Sequence, residues 1–91
     1  MNTAGTLLVS IIIPTFNRDW AVDRAVDSVL EQNYRPIELI VVDDGSQDRT
    51  SAVLSNYGDR ITVVRQENRG VSAARNVGAS RAQGELIAFL D

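Results

Sequence analysis

Three aspartates follow long apolar runs of the sequence, at positions where carboxylates can do chemistry. Asp43 and Asp44 come directly after residues 37–42, and Asp91 follows residues 86–90. Continuous runs rich in Val and Ile are typical of strands buried on both faces of a parallel sheet. Open α/β sheets bind their ligands at the carboxyl ends of such strands. Two kinds of site are therefore open, since carboxylates can hold a divalent cation or accept hydrogen bonds from a ligand.

A purely structural role for the pair Asp43 and Asp44 is also compatible with the sequence. Aspartates are common in turns, where one side chain caps the turn and the other is solvated. The convergence of Asp91 and the loop residue Phe16 on the same predicted edge favours a ligand site. An aromatic ring can stack on a flat base while a carboxylate accepts from a ring N–H or a ribose hydroxyl.

The residue types that are missing exclude several classes of protein. The 91 residues include no Cys and no His, and all 9 basic residues are Arg. Thiol nucleophiles, imidazole bases and Cys/His zinc sites are therefore excluded. Carboxylates remain as metal ligands, and they suit Mg²⁺ or Mn²⁺. A P-loop needs a Lys, and the net charge of −3 argues against nucleic-acid binding.

No apolar run approaches the ~20 residues that span a bilayer, and residues 1–6 lack the features of a signal peptide. We expect a single domain over residues 1–91, with residues 1–6 disordered and no membrane segment. A cytoplasmic location is favoured, and membrane association through other regions of a longer parent protein stays open.

Strand-like and helix-like patterns alternate along the chain. Pro14 ends the first apolar run because it has no N–H for a ladder, and Asp19 is expected to cap the first helix. Gly58 is expected to follow the second helix, and Gly78 to let the third approach the sheet closely. The predicted strands are residues 8–14, 37–42, 61–65 and 85–91. The first predicted helix starts after Asp19 and has about four turns. The second runs from Ser46 or Asp48 to about residue 57, and the third spans residues 71–82.

This βαβαβαβ order predicts an α/β fold. Right-handed crossovers, with one reversal of the direction in which strands are added, give a Rossmann-like parallel sheet. Its strand order is 3-2-1-4, and helices lie on both faces. The first strand is then central, and a group of polar and aromatic residues lies beside the point where the strand order reverses. That group comprises Phe16, Asn17, Asp43, Asp44 and Asp91.

Arg75 falls in the first turns of the third predicted helix, at the same edge. It either faces an anionic phosphate or pairs with an Asp of the site, or it is a solvated surface residue with a partner one turn away. Arg18 is expected in a solvated loop. Trp20 and Tyr34 are expected to pack at helix ends, and Phe89 in the core.

Two other α/β classes are disfavoured. A receiver-type signalling module would have its Asp pair after the first strand and a Lys near the end, whereas here the pair follows the second strand. A Rossmann dehydrogenase needs a Gly-rich turn after the first strand, where this chain has Pro14, Thr15, Phe16 and Asn17. The receiver-type module is kept as the alternative.

Four stretches in order resemble the nucleotide-binding half of family-two glycosyltransferases of the GT-A fold. Residues 9–17 are similar to that family's first strand and loop, and residues 38–50, with Asp43 and Asp44, to its second. Residues 68–78 look like its third signature, and residues 84–91 like the strand that leads into its D-x-D motif. Each stretch alone is weak evidence for the resemblance, but the four in this order are highly specific to the family.

The resemblance implies roles residue by residue. Pro14 and Phe16 would line a uracil-type base pocket, Asp44 would bind the base, and Asp43 would support its loop. Asp91 would be the first Asp of D-x-D, which meets the ribose or the metal-bound diphosphate. The last Asp of that motif, the principal metal ligand, is not in this sequence, nor is the acceptor half with its general base.

The function implied is donor binding in an inverting glycosyltransferase. The donor would be a nucleotide-diphosphate sugar of the UDP type, and the full-length enzyme would use Mg²⁺ or Mn²⁺. The 91-residue chain is expected to bind nucleotide weakly, with no catalytic residue of its own, no transfer activity and no bound metal. The outer edge of the fourth strand is expected to allow homodimer formation.

Overall fold

The computed structural model describes residues 7–90. Two expectations, disorder of residues 1–6 and the role of Asp91, lie outside the described residues.

Four parallel strands form one sheet with the predicted order β3-β2-β1-β4. The register places the carboxyl ends of three strands side by side, because Thr15 pairs with Asp43 and Asp43 pairs with Arg65. Residues that follow these strands therefore meet at one edge. The strands are β1 (Val9–Thr15), β2 (Ile37–Asp43), β3 (Thr62–Arg65) and β4 (Leu86–Phe89).

Helices cover both faces of the sheet, as predicted. The helices are α1 (Val22–Leu30), α2 (Thr50–Ser55) and α3 (Val71–Arg81), and a short 3-10 turn spans Gly58–Arg60. Alternate residues of β1 point to opposite faces. Ile11 and Ile13 pack with α1 and α2, and Ile12 packs with α3. β1 and β2 therefore contribute to both apolar layers, which fixes them at the centre of the fold.

The close approach of α3 to the sheet depends on small residues, as predicted. Ala74 and Gly78 are the buried residues of this helix. A Cβ atom at Gly78 would lie 2.4 Å from Cγ2 of Ile12 and 3.3 Å from Cγ2 of Val42. The missing side chain lets the helix axis sit directly against β1 and β2.

The expected N-cap of α1 is wrong. The helix begins at Val22 without a side-chain cap. The Asp19 carboxylate instead accepts a hydrogen bond from the Arg49 amide, 3.1 Å away in the loop before α2. The local sequence predicts capping because the Asp19 carboxylate is close to the start of the helix. The neighbouring loop also presents N–H groups, and one of these donates to Asp19 instead.

The burial predicted for β4 is also wrong. All four of its residues are exposed, and Phe89, predicted in the core, keeps 49% of its surface accessible. β4 is an edge strand of the described sheet, and the two apolar layers centre on β1 and β2.

The packing predicted for Trp20 is wrong as well, because it is 67% exposed with the Arg18 guanidinium 5.9 Å from its ring centroid. Tyr34 is 44% exposed, and its hydroxyl donates to the Leu7 carbonyl. Among residues 7–90, no helix has the length and apolar character needed to cross a membrane.

Candidate functional site

A cleft of about 580 Å³ opens at the carboxyl ends of the central strands. That volume is typical of a small-molecule site. Four of the predicted site residues line it, and they come from the β1 end, the β2 end and α3. They are Pro14, Phe16, Asp44 and Arg75. Asn17 and Asp43 do not line the cleft, and Asp91 lies outside the described residues.

The Asp44 carboxylate is held in one orientation at the cleft wall. The residue is only 4% exposed. Its Oδ1 accepts from Gln66 Nε2 at 2.8 Å and from the Arg69 amide at 2.8 Å, and its Oδ2 accepts from the Gly70 amide at 2.9 Å. A carboxylate has about four acceptor positions. Among residues 7–90, donors occupy two positions on Oδ1 and one on Oδ2, which leaves one position on Oδ2 for a ligand.

The same contacts fix the charge of Asp44. Burial by itself would raise the pKa of this carboxyl, but the hydrogen bonds from Gln66, Arg69 and Gly70 favour the ionised form. The net result is a pKa below the usual value of 3.8. Asp44 is thus an anion with a fixed direction, which suits recognition of an N–H group.

Asp43 turns away from the cleft and holds the loop that follows β2. It is 1% exposed. Its Oδ1 accepts from the Ser46 amide at 3.0 Å, and its Oδ2 pairs with Arg65 Nη1 at 2.6 Å. Arg65 Nη2 also donates to the Ser46 carbonyl at 2.7 Å. These contacts are those of a residue that supports the loop, the role that the resemblance implies.

Asn17 joins the loop after β1 to the loop after β2. Its φ of 51° is in the left-handed region, which Asn tolerates better than most residues. The Asn17 amide donates to Ser46 Oγ at 2.8 Å, and Asn17 Oδ1 accepts from the Gln47 amide at 2.8 Å. Asn17 therefore fixes the chain next to Phe16, whose ring is 44% exposed.

Further contacts extend this connection toward the helices. The Arg18 amide donates to Thr50 Oγ1 at 3.1 Å, and the Asp19 amide donates to Asp48 Oδ2 at 3.1 Å. The predicted capping of α2 by Ser46 or Asp48 is wrong, because the helix begins at Thr50 and neither residue occupies its N-cap position. Both side chains accept hydrogen bonds from amides of the loop after β1. These hydrogen bonds connect the two loops on the Phe16 side of the cleft.

Two arginines add positive charge to the cleft. Arg75 lines it from α3, and Arg18 lines it from the loop after β1. For Arg18 the sequence predicted a solvated loop residue, and its place in the cleft was missed. A cleft lined by one carboxylate and two arginines can bind a ligand that has both N–H donors and anionic groups.

Sequence reasoning also missed Arg65 and Gln66. Both lie at the carboxyl end of β3, and Gln66 directly follows the strand. The register pairs Arg65 with Asp43. Polar residues at the end of the third predicted strand could therefore have indicated that Arg65 and Gln66 belong to the site.

Residues 7–90 include no group of three or more His, Cys, Asp or Glu side chains arranged to hold a metal ion. Asp43 and Asp44 are largely occupied by N–H donors. The carboxylates described at this edge therefore do not form a metal site, and the predicted ligand Asp91 lies outside the described residues.

Solved structures share this architecture. S. aureus TarS 1–349 in complex with UDP-GlcNAc has a TM-score of 0.84 and 30% identity, covering 91% of this chain and 26% of that one. The mannosyltransferase PcManGT from Pyrobaculum calidifontis, in complex with GDP-Man and Mn²⁺, has a TM-score of 0.82 and 29% identity over 89% of this chain and 26% of that one. Together with the 3-2-1-4 sheet, these likenesses define part of a GT-A glycosyltransferase fold.

The sequence comparison gives the family. The sequence model of glycosyltransferase family 2 matches residues 10–91, and the chain belongs to this family. An uncharacterized glycosyltransferase of Rickettsia typhi is 45% identical over 83 residues, which are 91% of this chain and 26% of that protein. A validoxylamine A glucosyltransferase of Streptomyces hygroscopicus subsp. limoneus is 43% identical over 95 residues, 98% of this chain and 21% of that protein. The chain thus spans about a quarter of the length of these relatives. The family membership sets the receiver-type alternative aside.

Proposed function

We propose that this chain binds the nucleotide of a nucleotide-diphosphate sugar, as the donor-binding part of an inverting glycosyltransferase. The observation that carries the proposal is the buried Asp44 carboxylate, which keeps one acceptor position at the wall of a cleft beside an exposed aromatic ring. Family membership and the nucleotide-bound neighbours support the same assignment.

The acceptor positions of Asp44 favour uracil as the base. Uracil has a single ring N–H between two carbonyl groups, and one acceptor position on Oδ2 is enough for it. Guanine presents a ring N–H and an amino group together, so a carboxylate binds it best through both oxygens. Oδ1 of Asp44 is already occupied by Gln66 and Arg69. In a nucleotide, cytosine and adenine have no ring N–H group that could donate to Asp44.

Phe16 and Pro14 supply the apolar part of the base pocket. Phe16 lines the cleft and is 44% exposed, so it has accessible surface on which a base could stack. Base stacking on an aromatic ring contributes about 1–3 kcal/mol. The hydrogen bonds of Asn17 to the neighbouring loop keep this ring at the cleft before the ligand arrives.

The diphosphate is assigned to the two arginines that line the cleft. These are Arg75 and Arg18, and guanidinium groups pair with phosphate oxygens in bidentate fashion. In related enzymes a divalent cation accompanies the donor, as in the PcManGT complex with GDP-Man and Mn²⁺. Such a cation would neutralise charge on the leaving diphosphate. Asp91 is the residue of this chain assigned to that end of the donor.

The contribution of this chain to transfer would be orientation. Asp44 and Phe16 fix the base, and the arginines fix the diphosphate, which directs the sugar out of the cleft. An acceptor hydroxyl would then be deprotonated by a carboxylate beyond this segment. The 91 residues alone are proposed to bind donor without transferring its sugar. The expected cytoplasmic location and the single domain over residues 1–91 stay predictions.

A titration tests the proposal directly. The ¹⁵N-labelled chain is titrated with UDP, GDP and CDP, each with and without Mn²⁺, and amide shifts report even millimolar binding. UDP is expected to bind most tightly, with shifts at the Arg69 and Gly70 amides, and UDP-sugar is expected to stay intact. Equal affinity for the three nucleotides would refute the base assignment, and sugar transfer by the purified chain would refute its inactivity.

The exposed edge of β4 leads to a second proposal, homodimer formation. Leu86, Ile87 and Phe89 are each 45–50% exposed on an edge strand of the described sheet. Open apolar edges pair with other chains. Sedimentation is expected to show a shift from 10.0 kDa monomer to dimer as concentration rises. Ile87→Lys, which places a charge on this strand, is expected to stay monomeric, and a wild-type chain that is monomeric at all concentrations would contradict the proposal.

A further inference from the structure

Arg65 lies outside the cleft but is joined to it by a short chain of contacts. Its side chain is 51% exposed, and it reaches two atoms of the loop after β2. Nη1 pairs with Asp43 Oδ2 at 2.6 Å and Nη2 donates to the Ser46 carbonyl at 2.7 Å. One planar guanidinium therefore connects the end of β2 to the first turn of the following loop.

The contact then passes from this loop to the other side of the cleft. The Ser46 amide donates to Asp43 Oδ1, which completes the attachment of Ser46. Ser46 Oγ accepts the Asn17 amide at 2.8 Å. Asn17 is the neighbour of Phe16 and has the left-handed φ of 51°, so its conformation depends on contacts of this kind.

The chemistry of the pair explains why an arginine is used. Asp43 is 1% exposed, and an ionised carboxylate buried to this extent needs a charged or multiply bonded partner. Arg65 is the salt-bridge partner of Asp43 in the described part of the chain. A lysine has a single ammonium group, so it could neutralise Asp43 without also holding the Ser46 carbonyl in the same planar geometry.

From these contacts we infer that Arg65 is a positioning residue for the base pocket. It holds Asp43 and Ser46 so that Ser46 fixes Asn17 and, through it, the Phe16 wall. Arg65 touches no ligand itself. The inference rests on the proposed function for its effect on nucleotide binding, whereas its effect on the loop is independent of any ligand.

The test compares Arg65→Met with Arg24→Met. Arg24 lies in α1, away from the cleft lining, and its replacement removes the same charge. Amide hydrogen exchange is measured without nucleotide at Asn17 and Gln47, which report the loop connection, and at Val41 in β2, which reports the core. Arg65→Met is expected to speed exchange at Asn17 and Gln47 about tenfold, the loss typical of a hydrogen bond to a charged group, and to speed it less at Val41.

Nucleotide binding and a conservative variant complete the test. UDP affinity is expected to fall in Arg65→Met and not in Arg24→Met, and Arg65→Lys is expected to recover part of both losses. Unchanged exchange at Asn17, or an equal loss of protection at Val41, would overturn the positioning role. Faster loop exchange in a chain whose wild type binds no nucleotide would leave the loop role standing and refute the proposed function.

Discussion

Asp44→Asn is expected to weaken UDP binding about 10- to 100-fold, because it removes a charge-assisted hydrogen bond of about 1.5–3 kcal/mol. The same change affects the fold. The new amide nitrogen replaces one carboxylate oxygen and cannot accept, so either the Gly70 amide or the Gln66 and Arg69 donors lose a partner in a part-buried site. We expect the free energy of unfolding to fall by about 2–3 kcal/mol. UDP titration and urea unfolding measure the two effects separately.

Asp27→Asn is the matched control for this prediction. Asp27 lies in α1 and accepts from the Tyr57 hydroxyl at 2.7 Å, and it does not line the cleft. This variant makes the same change of charge, so its UDP affinity is expected to equal that of the wild type. Wild-type affinity in Asp44→Asn, or an equal loss in both variants, would show that Asp44 does not bind the base.

The pH dependence provides an independent check on the same residue. The pKa of Asp44 is lower in the folded chain than its usual value of 3.8. Its ionisation therefore stabilises the fold fully above about that pH, and the contribution is lost as pH falls through the lower, folded value. The stability difference between wild type and Asp44→Asn is expected to be flat above pH 5 and to shrink in acid. A difference that grows in acid would contradict the hydrogen bonds assigned to Asp44.

The sheet and the position of the cleft could be predicted from sequence because they depend on patterns that act over the whole chain. Apolar runs specify the strands, the connections are long enough for parallel crossovers, and crossover handedness restricts the strand order. Once the order is known, Phe16 and Asp44 must meet at one edge. The register of Thr15 with Asp43 realises this expectation.

The direction of each polar side chain could not be predicted in the same way. Asp43 and Asp44 are adjacent in sequence, and only the turn between β2 and α2 decides that Asp44 faces the cleft and Asp43 faces Arg65. Asp19 has an acceptable local use as a cap and a better one with the Arg49 amide. Such choices depend on which N–H groups the neighbouring loops present, and that information is in the folded chain.

The burial of β4 was mispredicted for a different reason. An apolar run shows that a strand can be buried, but it does not show what covers it. Val41 and Phe89 both lie in apolar runs, yet Val41 is fully buried between the layers and Phe89 is 49% exposed on an edge strand. Position in the sheet decides between these outcomes.

Gly45→Ala is expected to lower the free energy of unfolding by about 2–5 kcal/mol, since it combines two costs. Gly45 has a φ of +79°, where an L side chain is strained, and an added Cβ would lie 2.8 Å from the Asn68 backbone nitrogen. The strain alone costs about 1–2 kcal/mol, and overpacking costs about 1–3 kcal/mol. Urea unfolding measures the sum.

Gly58→Ala separates these two costs. Gly58 also has a positive φ, +57°, but nothing lies within 4 Å of an added Cβ. It is expected to lose only the strain term of about 1–2 kcal/mol. The difference between the two variants is the energy of the clash with Asn68, and equal destabilisation would show that the clash relaxes freely.

The clash at Gly45 is also expected to affect UDP binding. The loop that it would displace contains Arg69 and Gly70, whose amides hold the Asp44 carboxylate. A shift of this loop changes the direction of the remaining acceptor position, so Gly45→Ala is expected to weaken UDP binding under conditions where the variant is fully folded, and Gly58→Ala is not. Unchanged UDP affinity in a folded Gly45→Ala would mean that Asp44 keeps its orientation without the close contact between these loops.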